Sequence, residues 1–212
     1  MIQISRASFV SISESPVTPH VKAKRQRRRR EILDAAIQAF REKGYHATTL
    51  EDIADRLGVR NTALYHYFPD KEAILYECHR EALVEVMGLL DEARAHAASP
   101  TEQLKYLIRH HVRVMTETLA GSSLAFEVHS LDAEHEAEVI GQRDRYERGL
   151  RAVIRAGIKA GEFRPVDPKI TVFAIFGAIN WIARWFNPEG AIRSPALGDA
   201  FANHLVGGIT CP

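Results

Sequence analysis

The chain has few of the residues that build disulfide-rich, secreted or β-sheet proteins. Only two of its 212 residues are cysteine, which is too few for a disulfide framework. Its first residues include no apolar stretch of signal-peptide length, which argues against secretion. Gly and Pro are sparse and fall mostly where helices would end, and no alternating strand pattern occurs. We therefore expect an all-α protein of a reducing compartment, the cytoplasm.

Positive charge is concentrated at the N-terminus. Residues 1–30 carry a net charge of +7, so the rest of the chain must carry −6 for the total to be +1. Such a segment attracts nucleic-acid phosphates, although a merely solvated basic tail would have the same composition. We expect residues 1–26 to form a disordered basic arm that precedes the folded protein.

Residues 48–71 read TTLEDIADRLGVRNTALYHYFPDK and predict two short helices joined by a tight turn, followed by the start of a third. Thr48 and Glu51 have the spacing of a capping box, which begins a helix. Gly58 follows the last apolar position, where a helix end favours a left-handed residue. A second helix over residues 61–68 would then end at Pro69. This pattern predicts a helix-turn-helix whose second helix is sized for a DNA major groove.

The segment resembles the DNA-binding domain of the TetR family of transcriptional repressors. Residues 27–76 carry the resemblance through these matched positions: Ile32, Ala35, Ala36, Phe40, Gly44, Tyr45, Thr49, Ile53, Ala54, Gly58, Val59, Leu64, Tyr65, Tyr67, Phe68 and Lys71. Two positions depart from the family pattern, because Arg60 replaces a small hydroxyl residue and Ala63 replaces Thr or Ser. Base preference is therefore not carried over from relatives.

The resemblance implies a set of DNA contacts. Phosphate contacts are expected from Thr48, Thr49, Tyr65, Tyr67 and Lys71, and base-edge contacts from Arg60, Asn61, Thr62 and His66. The alternative for either tyrosine is a packing role. A two-fold dimer would place its recognition helices roughly 34 Å apart, so the operator in double-stranded DNA should be a pseudo-palindrome.

Residues 77–212 form a series of amphipathic helices that we expect to be a ligand-binding and dimerisation domain. The helix predicted over residues 169–186 is apolar all round, which indicates burial in protein or lipid. Asn180, Arg184 and Pro188 make a membrane span unfavourable. We expect a second subunit to bury this helix together with the last one, residues 195–209, as TetR-like proteins dimerise.

Polar residues placed sparingly among apolar ones indicate a pocket for a largely apolar effector. The candidates lie on two helices: Arg143, Tyr146, Phe173, Phe176, Asn180, Trp181 and Arg184. Alternatively, Arg143 extends to solvent from a helix end and Asn180 bonds to a dimer partner.

The C-terminal half contains the strings GEFRP at residues 161–165, WIARWFNPEG at 181–190 and GGIT at 207–210. With these strings it resembles the TetR repressors that sense acyl-coenzyme A thioesters in fatty-acid or sterol breakdown. That resemblance would make a long-chain or steroid-type thioester the releasing effector. Regulation of drug efflux by a hydrophobic compound is an alternative, and a non-specific nucleoid-type DNA binder is an alternative of another class. No paired metal-ligand motif, phosphate loop or nucleophile elbow occurs, so we expect neither an enzyme nor a cofactor or metal.

Overall fold

A computed structural model describes residues 19–120 and 123–211. The described residues form nine α-helices in this order: α1 (Pro19–Lys43), α2 (Leu50–Arg56), α3 (Asn61–Leu64), α4 (Lys71–His96), α5 (Pro100–Arg113), α6 (Ala133–Lys159), α7 (Pro168–Asn180), α8 (Ile182–Trp185) and α9 (Ser194–Gly207). A π-helical turn, Val114–Thr118, continues α5, and a 3₁₀ segment, Ser123–Ser130, precedes α6. The all-α prediction is confirmed.

The basic arm is shorter than predicted. Residues 19–26 are helical because α1 begins at Pro19, and residues 1–18 lie outside the described part of the chain. Lys and Arg favour helices, and ion pairs between turns of α1, such as Arg27 with Glu31 and Arg30 with Asp34, add local support.

The start of α2 lies one residue later than the predicted capping box. Thr49 is the cap: its hydroxyl accepts from the Asp52 amide at 3.1 Å, and the Asp52 carboxylate accepts from the Thr49 amide at 2.8 Å. Thr48 is fully buried instead, and its hydroxyl lies 2.8 Å from the Gly44 carbonyl oxygen. Gly58 has φ of +64°, as its predicted place after a helix end requires.

The recognition helix is also shorter than the predicted eight residues. The amides of Tyr67 and Phe68 both donate to the Leu64 carbonyl, so the chain closes into a tightened turn after α3. Pro69 cannot continue the helix and restricts Phe68. Residues 65–68 therefore follow the recognition helix as a compact turn.

The predicted helix over residues 169–186 is broken. The helix α7 ends at Asn180. The Arg184 amide then donates to the Trp181 carbonyl in a tightened turn, after which α8 begins at Ile182.

The last helix, α9, packs along α5. Gly198 allows the two helices to approach closely, because a Cβ at this position would lie 3.0 Å from the Arg109 carbonyl oxygen.

Candidate DNA-binding face and ligand cavity

The predicted base-reading side chains lie on one surface around α3. Arg60, Thr62 and His66 are exposed, whereas Asn61 is half-buried and its Oδ1 has no hydrogen-bond partner among the described residues. The helix needs few side chains for packing because Leu64 alone is buried within it. Arg60, Thr62, Tyr65 and His66 are left to face a partner, whereas Phe68 in the following turn is buried in the core.

The predicted phosphate contacts divide into surface and interior groups. Thr49 is exposed, Tyr65 is 54% exposed, and Tyr67 is half-buried against the core. Thr48 is inside the domain, so its hydroxyl is not available to a phosphate. The expected phosphate contact from Thr48 is therefore corrected, because its hydroxyl is bonded to the Gly44 carbonyl oxygen at the end of α1.

Lys71 is a structural link rather than an open cation. Its Nζ donates to the carbonyl oxygens of Tyr45 at 2.8 Å and Thr48 at 2.7 Å, and it lies 4.4 Å from the centroid of the Tyr45 ring. Burial lowers the pKa of this ammonium group. The ammonium thus fastens α4 to the turn before α2, and the phosphate contact from Lys71 stays a prediction.

The basic residues of α1 also divide into two groups. Lys22, Lys24 and Arg25 are exposed and make no ion pair within residues 19–120 and 123–211. By contrast, Arg29 donates to the Tyr67 carbonyl at 3.1 Å and its guanidinium carbon lies 4.4 Å from the centroid of the Phe68 ring. Arg29 thus holds the turn after α3, a role that the sequence alone did not indicate.

A cavity of about 130 Å³ lies among α4, α5, α6 and α7. Its lining is mostly apolar with a few polar groups: His79, Ala82, Leu83, Val86, His111, Val114, Met115, Leu119, Ala125, Arg143, Tyr146, Phe176 and Asn180. The π-helical turn after α5 supplies Val114 and Met115, and such turns are frequent at functional sites.

Four of the seven predicted ligand residues line this cavity: Arg143, Tyr146, Phe176 and Asn180. The other three do not. Phe173 and Trp181 are 49% and 61% exposed, and the Arg184 guanidinium carbon lies 5.3 Å from the centroid of the Phe126 ring. Arg184 lies beyond the turn at Trp181, so its four-residue spacing from Asn180 does not bring it to the cavity.

Three polar atoms that belong to residues lining the cavity have no protein partner. They are His79 Nε2, His111 Nδ1 and the Tyr146 hydroxyl, none of which has a hydrogen-bond partner among the described residues. The Arg143 Nη2 donates to the Ala125 carbonyl at 2.9 Å and lies 3.4 Å from His79 Nδ1. Buried polar atoms are usually paired, so this cluster is a candidate site for a bound molecule.

Burial fixes the charges of these groups. It lowers the pKa of His79 from 6.5 to about 3 and that of His111 to about 4, with the positive charge of Arg143 as the second cause. Burial also raises the pKa of Tyr146. Both histidines and the phenol are therefore neutral near pH 7, and Arg143 is the one formal charge in the lining.

A second polar cluster joins the first turns of α4 and α6. Ligand atoms of Glu72, Asp132 and His135 lie within 4.8 Å of one another. The Asp132 carboxylate caps α6 by accepting from the His135 amide at 2.8 Å, and the His135 Nδ1 lies 3.0 Å from the Glu72 carboxylate. These groups satisfy one another and connect the two helices.

Comparison with known proteins identifies the family. Residues 97–209 match the family described as Tetracyclin repressor-like, C-terminal domain, and residues 32–78 match the bacterial regulatory proteins of the tetR family. The first match alone covers more than half of the chain. The chain therefore belongs to the TetR family of DNA-binding transcriptional regulators, which are not enzymes.

Several relatives are similar along nearly their whole length. The HTH-type transcriptional repressor KstR2 of Mycobacterium tuberculosis (strain ATCC 25618 / H37Rv) is 29% identical over 193 residues, which cover 86% of this chain and 93% of that protein. The TetR family regulator PfmR from Thermus thermophilus is 35% identical, with 83% of this chain and 97% of that chain covered and a TM-score of 0.75.

AibR has a crystal structure in complex with isovaleryl coenzyme A and operator DNA, and it is 25% identical to this chain. The alignment covers 87% of this chain and 99% of that chain, with a TM-score of 0.70.

Within the described part of the present chain, no helix is both long enough and apolar enough to cross a membrane.

The lowered histidine pKa values predict a pH-dependent stability. As pH falls through about 6.5, the unfolded chain protonates both histidines, but the folded protein keeps them neutral until about pH 4. The unfolded state then binds more protons, so the free energy of unfolding should fall with falling pH, by up to roughly 2.7 kcal/mol per pH unit if both histidines contribute.

Urea denaturation at a series of pH values in this window measures that slope. His111→Gln should remove about half of it, whereas His204→Gln, at an exposed histidine, should leave it unchanged. A wild-type unfolding free energy that stays constant across the window would contradict the neutral, buried state of the two histidines.

Proposed function

We propose that this regulator is a repressor that binds a palindromic operator as a homodimer and is released by a small, largely apolar molecule. One observation carries the proposal: the cavity is lined by α4, and the first residue of α4 is fastened to the DNA-binding domain through Lys71. A repressor of this kind works in the cytoplasm, where bacterial DNA is. Membership of the TetR family favours it over a non-specific nucleoid-type binder.

The surface around α3 supports DNA reading. We assign base-edge contacts to Arg60, Asn61, Thr62 and His66, and phosphate contacts to Thr49, Tyr65 and Tyr67. Arginine can donate two parallel hydrogen bonds to guanine, so Arg60 is the strongest source of base preference. The exposed cations at the start of α1 add phosphate attraction that does not depend on base sequence.

An apolar surface on α7 and α9 supports dimerisation. On α7 the exposed apolar residues include Ile170, Phe173 and Ala174, and Trp181 follows directly after the helix. On α9 the exposed residues Ala196, Ala200 and Gly207 are small, which allows close helix approach. A second subunit would bury both surfaces in a two-fold interface of four helices.

The switch follows from the position of the cavity. His79, Leu83 and Val86 lie on α4 about two to four turns after Lys71. A ligand that fits better when α4 is displaced would favour a dimer whose recognition helices are no longer one DNA turn apart. Operator affinity would then fall.

An acyl-coenzyme A thioester is the effector that we favour. The cavity combines an apolar wall with polar groups at one end, which suits an acyl group. The similarity to AibR, whose structure holds isovaleryl coenzyme A together with operator DNA, supports the same class of ligand. A hydrophobic drug, with control of efflux, is the alternative effector.

Mutation of Arg60 tests base reading. On an operator selected from random duplexes, Arg60→Ala should lose discrimination at one base pair of each half-site, by about 1–3 kcal/mol. The matched control Lys22→Ala should weaken binding to all duplexes alike and reduce the log–log salt slope by about 1. Fluorescence anisotropy across single-base variants measures both. Equal wild-type affinity for palindromic and scrambled duplexes at physiological salt would exclude sequence-specific reading.

Introducing a charge into the apolar surface tests the dimer. Phe173→Glu should give monomers in sedimentation velocity and should lose most operator affinity, because a buried unpaired carboxylate disfavours the interface. Val84→Glu is the matched control, since Val84 on α4 is 59% exposed and lies outside this surface. A dimeric Phe173→Glu variant would contradict the proposed interface.

Removal of the Lys71 ammonium tests the link between cavity and DNA-binding domain. Lys71→Met should bind hexanoyl-coenzyme A about as tightly as the wild type does, yet release operator less, because α4 is no longer fastened to the turn before α2. Calorimetry gives the ligand affinity and an operator titration gives release. Lys105→Met, on α5, should behave as the wild type. Full release from Lys71→Met would remove this link from the mechanism.

A further inference from the structure

Three residues that line the cavity offer hydrogen-bond donors. Arginine has no acceptor, so the His79 Nδ1 that lies 3.4 Å from Arg143 Nη2 must be the acceptor of that pair. Neutral His79 then carries its proton on Nε2, which is buried and unpartnered among the described residues. The Tyr146 hydroxyl and the Arg143 guanidinium supply further O–H and N–H groups. An acceptor atom on a bound molecule would pair with these donors, and the Tyr146 hydroxyl and the Asn180 amide can also accept.

The electrostatics favour the same kind of molecule. The Arg143 guanidinium is buried, and within residues 19–120 and 123–211 no carboxylate forms an ion pair with it. A buried cation without a counter-charge is unfavourable. An oxygen with negative charge or a strong dipole would offset that penalty, whereas a cationic amine would increase it.

The size of the cavity limits the apolar part of the molecule. A volume of about 130 Å³ is close to that of an engineered apolar cavity of roughly 150 Å³ that binds benzene. The buried part of the ligand then has about six carbon atoms. Leu83, Val86 and Phe176 form its walls. We expect a compact acyl group to suit this volume better than a long chain or a steroid nucleus, which would extend beyond these side chains.

We propose that the cavity recognises a compact acyl group of about five to eight carbon atoms, whose acyl oxygen accepts hydrogen bonds from Arg143, Tyr146 and His79. This inference rests on the proposed function, in that it assigns the effector to this cavity. The oxygen belongs either to the carboxylate of a free acid or to the carbonyl of a thioester. In the second case the nucleotide of coenzyme A, which is far larger than the cavity, remains outside it.

Calorimetric titration of the full-length dimer with four compounds tests the proposal. Hexanoate and hexanoyl-coenzyme A carry the compact acyl group, hexadecanoyl-coenzyme A carries a long one, and hexylamine replaces the oxygen with a cation. At least one six-carbon acyl compound should bind about ten-fold or more tightly than hexylamine, since a hydrogen bond to a charged group contributes about that factor. It should also bind more tightly than hexadecanoyl-coenzyme A, whose long chain exceeds the volume of the cavity. The tighter of the two six-carbon compounds identifies the free acid or the thioester as the source.

Variants test the assigned donors. Tyr146→Phe keeps the ring, which stacks on Phe176 with centroids 5.8 Å apart, and removes only the hydroxyl. Tyr146→Phe and Arg143→Gln should each weaken the six-carbon acyl compound about ten-fold or more. Arg184→Ala, outside the cavity, should leave its affinity unchanged. Thermal melting identifies variants that are folded, and Tyr146→Phe, which loses only an unpartnered hydroxyl, should melt no lower than the wild type.

The proposal is overturned if hexadecanoyl-coenzyme A or hexylamine binds as tightly as the six-carbon acyl compounds. It is also overturned if both folded donor variants keep wild-type affinity. Operator affinity is measured with the same compounds, so that a failure of the ligand assignment can be distinguished from a failure of the proposed release mechanism. A six-carbon acyl compound that binds through Arg143 and Tyr146 without changing operator affinity supports the inference and contradicts ligand release. Release by a hydrophobic drug, with no acyl binding, contradicts the inference and supports ligand release.

Discussion

The contact between the Lys71 ammonium and the carbonyls of Tyr45 and Thr48 is the interaction on which the rest of the account depends. It fixes the first turn of α4 to the turn before α2. The helix α4 then runs 26 residues and carries four residues of the cavity lining. In the proposed mechanism, a displacement of α4 at the cavity would reach the DNA-binding domain through this contact without a separate signalling element.

The polar groups that line the cavity make the core less stable than an apolar core would be, and they provide groups that a ligand can contact. An apolar core at this position would be more stable than one that holds a guanidinium, two neutral histidines and an unpartnered hydroxyl. The histidines stay neutral because burial and Arg143 both oppose a second positive charge. We propose that this buried guanidinium beside apolar walls favours an acyl oxygen over a cation of similar size.

Local signals were enough to predict the helix-turn-helix, but long-range contacts decided the details. Gly58 acts within a few residues, so the end of α2 near it could be read from sequence. The end of α3 was predicted four residues too late, because the chain tightens after Leu64. Thr48 and Thr49 each stand three residues before an acidic residue, Glu51 and Asp52, so either could cap α2. Thr49 is the cap because the Thr48 hydroxyl is already bonded to the Gly44 carbonyl after α1. Arg143, Tyr146, Phe176 and Asn180 were found because they lie on inward stripes. Trp181 and Arg184 were expected at the cavity but do not line it, and Arg184 follows the break after α7. His79 and His111 line the cavity because helices distant in sequence pack together, which the sequence alone did not indicate.

The distance between the two DNA-binding domains of one dimer tests the central claim most directly. Spin labels at Asp55→Cys, an exposed position of α2, can be introduced in a Cys211→Ser background, since Cys78 is buried. Electron paramagnetic resonance then gives the inter-subunit distance with and without hexanoyl-coenzyme A. The account predicts that saturating ligand shifts this distance in the wild type and leaves it unchanged in Arg143→Gln. An unchanged wild-type distance with the cavity saturated would contradict it.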